Sequence, residues 1–118
     1  YGAVRDVFNY SEPVDNVVTN PPFNIATDII LHMMPLFRKK MAFFLRTAFL
    51  ESVSRYNMIY SVHSPSRVHV FTKRVTLYPV THENKTNGGT TSYAWFVWER
   101  DKPTRTELNW ISPTIGQD

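Results

Sequence analysis

The sequence has no cysteine, only four glycines and no long apolar run, and each shortage excludes a class of protein. Without cysteine, disulfides and thiolate metal sites are excluded, and nothing favours an oxidising compartment. No apolar stretch reaches the ~18 residues of a transmembrane helix, because His32, Pro35 and the basic residues 38–40 interrupt the best candidate. No signal peptide follows Tyr1, although the true start of the gene product can lie upstream. We therefore expect a soluble protein, with the cytoplasm as the default location.

The residues that are present suffice for one hydrophobic core. Of the 118 residues, 42% are hydrophobic and 19% are charged, which is the composition of a globular chain rather than a disordered one. This length allows one domain of ordinary size. The net charge of +3 slightly favours an anionic partner. We predict a single domain over residues 1–118, with a poorly anchored start at residues 1–12.

The first half of the chain has the pattern of a strand, a helix and a strand. Residues 14–19 are rich in β-branched side chains and end before two prolines, which indicates a buried strand. Apolar residues recur at helical spacing over residues 25–39, and Pro35 inside this helix predicts a kink. The apolar run 41–45 is long enough for a central strand. This order predicts a right-handed parallel crossover.

The second half predicts an antiparallel pair of strands. A helical stretch over about residues 50–62 precedes a strand at 67–72, and residues 92–99 are almost wholly aromatic or β-branched. The polar segment 79–91 between these strands contains Asn87-Gly88-Gly89 and indicates a flexible loop. The predicted fold class is α/β, with a parallel strand-helix-strand unit and an antiparallel strand pair at one edge.

The four residues Asn20-Pro21-Pro22-Phe23 lie at the carboxyl end of the first strand, where open α/β sheets bind their ligands. The two prolines keep the backbone extended and remove two N–H donors. The Asn20 side-chain oxygen and the Pro21 carbonyl can therefore each accept a hydrogen bond from the exocyclic amine of a planar base. Phe23 can stack on the ring of that base. In isolation the same string is more often a stiffened strand end with a buried aromatic residue.

The surrounding sequence favours the chemical interpretation. The strand, the turn and the following helix resemble motif IV of the S-adenosylmethionine-dependent amino-methyltransferases. Four further segments look like the carboxyl-terminal half of phage-type adenine-N6 DNA methyltransferases, namely residues 44–52, 65–71, 92–99 and 108–111. The resemblance covers nearly the whole chain, and it implies a partial Rossmann-like methyltransferase fold.

This resemblance implies a role for individual residues. On this resemblance, the catalytic set consists of Asn20, Pro21, Pro22 and Phe23. These residues would hold a flipped adenine while a methyl group is transferred from the cofactor sulfonium by in-line displacement. Asp6 and Val7 match the position near the cofactor adenine, although a surface Asp before an apolar pair explains them equally well. Other residues are candidate contacts to DNA phosphates or bases, and each alone also fits a solvated surface: Arg46, Lys73, Arg74, Lys85 and Asn87.

Two motifs of the family are missing. None of the four glycines forms the strand–Gly-x-Gly–helix turn that holds the cofactor, and no acidic residue ends a second strand. We therefore expect weak or no binding of S-adenosylmethionine and little activity from this chain alone. Loss of the neighbouring strand would also leave Val14, Val17 and Val18 on an open sheet edge. This edge predicts a homo-oligomer or pairing with a complementing amino-terminal fragment.

Two other functions remain open at this point. Similar Asn-Pro-Pro-aromatic turns occur in rRNA guanine-N2 and protein glutamine methyltransferases, because planar amines and amides present the same two hydrogens. A non-catalytic remnant that binds DNA or a partner subunit is the second alternative. The four histidines show no metal-ligand spacing, so no metal is expected.

Overall fold

The computed structural model describes residues 7–73, 91–101 and 105–112. The described part contains five strands and several short helices. The strands are β1 (Val14–Thr19), β2 (Phe37–Arg46), β3 (Arg67–Phe71), β4 (Tyr93–Glu99) and β5 (Glu107–Ile111). The helices are α1 (Ala26–Met33) and the single turn α2 (Val53–Arg55), with 3-10 turns at Val7–Asn9, Phe23–Ile25 and Thr47–Leu50 and a π-helical turn at Tyr56–Tyr60.

The five strands form one mixed sheet in the order β1-β2-β4-β3-β5. β1 and β2 are parallel, as the crossover predicted, and β4 is antiparallel to both of its neighbours, β2 and β3. The prediction that the antiparallel pair lies at one edge is wrong. β5 pairs with β3 in parallel, so it forms that edge and β4 becomes the middle strand.

The predicted helix over residues 25–39 is too long. α1 ends at Met33, Pro35 lies in the turn that follows, and β2 has already begun at Phe37. Proline lacks an N–H and its ring clashes with the carbonyl four residues earlier, so here it ends the helix instead of kinking it. The basic residues 38–40 consequently lie in a strand and do not cap a helix.

The predicted helical stretch over about residues 50–62 is confirmed in part. Its turns are short and of three kinds, and an ordinary α-helical turn occurs only at α2. Ser52 caps this turn, since its hydroxyl oxygen accepts a hydrogen bond from the Arg55 N–H at 3.1 Å. These turns place Phe49 and Ile59 in the core, where both side chains are fully buried.

The hydrophobic core lies on one face of the sheet. Alternate residues of β2 point into it, including Met41, Phe43 and Leu45, and they form one cluster with α1 and with the buried side chains of β4. Two of the aromatic residues of β4, Phe96 and Trp98, are buried in this core. On the opposite face Phe44 and Trp95 are only half-buried. No helix in the described residues is long and apolar enough to cross a membrane.

β1 is an edge strand, as the sequence predicted. Among the described residues only β2 pairs with it. Val14 and Val17 pack against the core, whereas 72% of Val18 is exposed to solvent. The residues that follow β1 therefore emerge at the corner of the sheet.

Candidate functional site

The turn that carries the four-residue motif is extended and stiff. Asn20 follows the last residue of β1 and is exposed, while Pro21 is buried. Pro22 has φ −58° and ψ 138°, which is an extended conformation, and Phe23 then begins the 3-10 turn that leads into α1. The prolines thus hold the backbone away from helical geometry until Phe23.

Two hydrogen-bond acceptors of the turn are not used within the described part of the chain. The Pro22 carbonyl accepts a hydrogen bond from the Ile25 N–H at 3.3 Å, but the Pro21 carbonyl takes part in none of the backbone bonds among described residues. The exposed Asn20 carboxamide likewise has no partner among them. Both oxygens are therefore without a hydrogen-bond partner within the described part of the chain.

A pocket lies beside these acceptors, between the carboxyl ends of β1 and β2 and the start of β4. Its volume is about 130 Å³, and its walls are Asn20, Pro21, Phe23, Phe44, Leu45, Arg46 and Tyr93. Pockets that hold drug-sized ligands usually measure ~300–1,000 Å³. The smaller volume suits one planar ring system. Tyr93 is fixed in the wall by a parallel stack on Phe44, with ring centroids 5.0 Å apart.

The Phe23 ring is half-buried and lies beside two cationic side chains. The Arg46 guanidinium lies 5.2 Å and the Arg55 guanidinium 5.5 Å from its centroid, while the edge-on ring of Phe49 supports it at 5.7 Å. Favourable cation–π contacts occur within about 6 Å. Arg46 is exposed and can leave its position, whereas Arg55 is held by further bonds. The Phe23 ring is therefore in contact with two cations.

Arg55 is a positioning residue that the sequence did not reveal. Its Nε donates to the Phe49 carbonyl at 2.8 Å, and its Nη2 lies 3.3 Å from the carbonyls of Ala48 and Glu51. Its guanidinium also covers the Phe49 ring at 4.4 Å. These partners are main-chain oxygens, and a sequence pattern gives no signal for such contacts. Arg55 thereby connects the end of the Thr47–Leu50 turn to the ring of Phe23.

Tyr60 completes this support. Its hydroxyl donates to the same Phe49 carbonyl at 2.8 Å. Burial raises the pKa of the Tyr60 phenol well above its ordinary value of 10.0, and the nearby Arg55 charge opposes that rise only in part. The phenol therefore ionises less readily in the folded protein than in the unfolded chain.

The raised pKa of Tyr60 predicts a loss of stability in alkali. Above about pH 10 the phenol ionises in the unfolded chain but stays neutral in the folded one, so the stabilisation present below that pH falls as pH rises. Tyr60→Phe should remove this part of the pH dependence and cost about 1 kcal/mol at neutral pH through the lost hydrogen bond. Urea unfolding at about pH 8 and about pH 11 measures both effects. Tyr56→Phe, at an exposed tyrosine, is the control; an equal change in both variants would contradict the prediction.

The other predicted site residues do not all lie near the pocket. Arg46 ends β2 and Lys73 follows β3. Because β2 and β3 both run antiparallel to β4, and β1 runs parallel to β2, both cations lie at the same end of the strands as Asn20. Val7 packs against the core and does not line the pocket. Four residues lie outside the described part of the chain: Asp6, Arg74, Lys85 and Asn87.

The described residues include no part of a glycine-rich turn for S-adenosylmethionine. A methyltransferase holds this cofactor with a glycine-rich turn after a strand, and none of the four glycines lies in the described ranges. β1 also lacks a described neighbour on the side where such a strand would lie. The expectation of weak or absent cofactor binding by this chain alone stays a prediction.

The described residues also contain no group of three or more His, Cys, Asp or Glu side chains that could hold a metal ion. The site thus brings together two acceptors, an aromatic ring and an exposed cation around one small pocket. Comparison of the chain with protein-family models, with curated proteins and with solved structures gave no match.

Proposed function

We propose that this chain binds and orients the exocyclic amine of adenine in DNA, as the substrate side of an S-adenosylmethionine-dependent adenine-N6 methyltransferase. The observation that carries the proposal is the pocket lined by Asn20 and Pro21, whose oxygens have no partner among the described residues and whose volume suits one planar ring system. If Asn20 were buried among apolar side chains, no base could reach it. The observed exposure of Asn20 at a pocket supports the proposal.

The chemistry of the two acceptors fits an amine. An NH₂ group on a planar base offers two hydrogens, and the Asn20 side-chain oxygen and the Pro21 carbonyl accept one each. With both hydrogens held, the nitrogen lone pair is directed away from the protein and toward an electrophile. A neutral carboxamide is a poor base, so Asn20 orients the amine and stabilises developing positive charge without removing a proton first.

The end of the sheet at which Asn20 lies also carries positive charge for a nucleic acid. Arg46 and Lys73 can contact phosphates, which position DNA without reading its sequence. A base inside a duplex must be flipped out to enter a pocket of this size. When the base stacks on Phe23, we expect the exposed Arg46 guanidinium to move from that ring to a phosphate of the flipped nucleotide.

The methyl group has to come from a cofactor that other residues hold. S-Adenosylmethionine supplies an electrophilic methyl on a sulfonium, and the described residues provide no cradle for it. Titration of S-adenosylmethionine into the purified chain should therefore give little or no saturable binding. Micromolar binding would contradict this part of the proposal and would exclude the non-catalytic remnant as an alternative.

A direct test compares two DNA oligonucleotides that differ only at one unpaired target base, which is either adenine or N6,N6-dimethyladenine. The dimethylated base has no amine hydrogen to donate. We expect the protein to bind the adenine oligonucleotide about tenfold more tightly, because two neutral hydrogen bonds contribute about 1 kcal/mol each and packing of the extra methyl groups offsets part of this. Fluorescence anisotropy at fixed salt measures both dissociation constants.

Asn20→Ala is the variant that tests the assignment. It should reduce the discrimination between the two oligonucleotides to about two- or threefold or less, because one acceptor is lost. Asn24→Ala is the matched control, since Asn24 is also exposed and lies four residues away outside the pocket. Equal binding of both oligonucleotides by the unmodified protein would refute the proposal. Unpaired guanine in RNA, and a glutamine peptide, test the two alternative methyltransferase substrates in the same assay.

A further inference from the structure

We propose that β1 pairs in an antiparallel manner with β1 of a second copy of this chain, which joins two five-stranded sheets across a two-fold axis. This inference does not depend on the proposed function, and the second copy would take the edge at which the resemblance implies the missing strand. It rests on the free edge of β1, on the exposure of its side chains and on a register in which the strand complements itself.

The edge of β1 lacks two of the features that normally prevent strand pairing, although its pairing with β2 is irregular between Val14 and Asn16. No described strand covers it, and the six residues contain neither proline nor lysine. Its one charged residue, Asp15, is paired with Arg38 of the same chain at 2.8 Å. Val18 exposes 72% of its surface, which is a large apolar area for a residue at a sheet edge. Such an edge offers unpaired main-chain N–H and C=O groups to an incoming strand.

The register follows from the faces of the sheet. In the pairing with β2, Val17 lies opposite the buried Met41, whereas Asn16 and Val18 lie opposite Lys40 and Ala42 on the other face. An isologous pair keeps both faces continuous only if residues of the same face meet. A two-fold axis through a single residue achieves this, and of the two axes that pair five of the six residues, at Asn16 and at Val17, the proposed one passes through Val17.

In this register Val17 meets Val17 on the core face, and Asn16 meets Val18 on the open face. Asp15 meets Thr19, so the two carboxylates are not opposed. Pairing with the axis at Asn16 would instead place two amides face to face and leave Asp15 opposite an apolar Val17. A second copy thus pairs Val17 with Val17 and opposes no like charges at this edge, and it is present at the concentration of the protein itself.

Charge substitutions at the open face test both the pairing and its register. In Asn16→Lys with Val18→Lys, the lysine that replaces Asn16 in each copy would lie opposite the lysine that replaces Val18 in the other, and like charges directly opposite are destabilising. In Asn16→Lys with Val18→Glu, the same contacts become two ion pairs. Both variants share the lysine beside Lys40, so any effect on the fold of the single chain from that position is the same.

Analytical ultracentrifugation over a hundredfold concentration range gives the mass of each species, and circular dichroism verifies the fold. We expect a reversible dimer for the unmodified protein, a folded monomer for the double-lysine variant and a dimer for the lysine–glutamate variant. Val53→Lys, at an exposed site on α2 and not on β1, should stay dimeric. A monomeric unmodified protein, an assembly larger than a dimer, or the same state in both double variants would overturn the proposal.

Discussion

Replacement of Phe49 by alanine should destabilise the protein by about 3–5 kcal/mol, the usual cost of removing a fully buried aromatic side chain. Phe49 has no exposed surface and meets three other rings edge-on, those of Phe23, Tyr60 and Phe96. Because small domains are stable by only ~5–15 kcal/mol, this loss would leave a marginal fold. The midpoint of urea unfolding and the melting temperature should both fall sharply.

Phe44→Ala is the matched control for this prediction. Phe44 also meets three aromatic rings, those of Phe71, Tyr93 and Trp95, but it lies on the open face of the sheet and is only half-buried. Less apolar surface leaves water when it packs, so its removal should cost clearly less than that of Phe49. Equal costs for the two variants would show that the open face is packed as tightly as the core.

Phe49 also connects stability to the candidate site. Its ring supports Phe23 at 5.7 Å, and its carbonyl receives the bonds from Arg55 and Tyr60. At a temperature where Phe49→Ala remains folded, we expect weaker discrimination between adenine and dimethyladenine. In the same assay Phe44→Ala reports on the opposite wall of the pocket.

Local sequence patterns predicted a strand correctly where its residues were mostly β-branched or aromatic, most clearly where prolines marked its end. β1 begins and ends where the β-branched run and the two prolines indicated, and the aromatic run of β4 lies in the middle of the sheet. The position of Asn20 after a strand also followed from this pattern, because prolines disfavour continuation of a strand and a helix alike.

Helical spacing was misleading where it continued across a proline. Leu36 and Phe37 have the right spacing to extend α1, but Phe37 is buried as the first residue of β2. Short apolar runs do not distinguish a helix from a strand by spacing alone, and here the tertiary pairing of β2 with β1 and β4 decides. β5 was missed as a strand for a related reason, since its Leu108 and Trp110 are largely exposed and its position depends on pairing with β3.

The composition of the candidate site was predictable only in part. The motif placed Asn20, Pro21 and Phe23 at the pocket, and the resemblance added Arg46. Tyr93 was not assigned to the site, because its approach requires β4 to lie beside β2 in antiparallel register. Such a register depends on contacts between distant residues, which no local pattern records.

Arg55→Met should cost about 2–3 kcal/mol, because a charged donor that bonds three main-chain carbonyls is removed and the methionine cannot replace those bonds. The expected fall in melting temperature is roughly 10 °C for a domain of this size. Differential scanning calorimetry measures the change. Arg55→Lys should recover little of it, since an ammonium lacks the planar fork that reaches several carbonyls at once.

Arg46→Met is the matched control, and it separates support of the fold from the charge at the pocket. Both arginines lie within about 6 Å of the Phe23 centroid, the usual limit of a cation–π contact, but Arg46 is exposed and makes no carbonyl bond among the described residues. Its substitution should change stability by no more than about 0.5 kcal/mol. It should instead lower the affinity for DNA. The slope of the logarithm of the binding constant against the logarithm of the salt concentration should become about one unit less steep, as expected for the loss of one phosphate contact. If Arg46→Met unfolds the protein as readily as Arg55→Met, the support for Phe23 comes from both cations and Arg46 is not free to move to a phosphate.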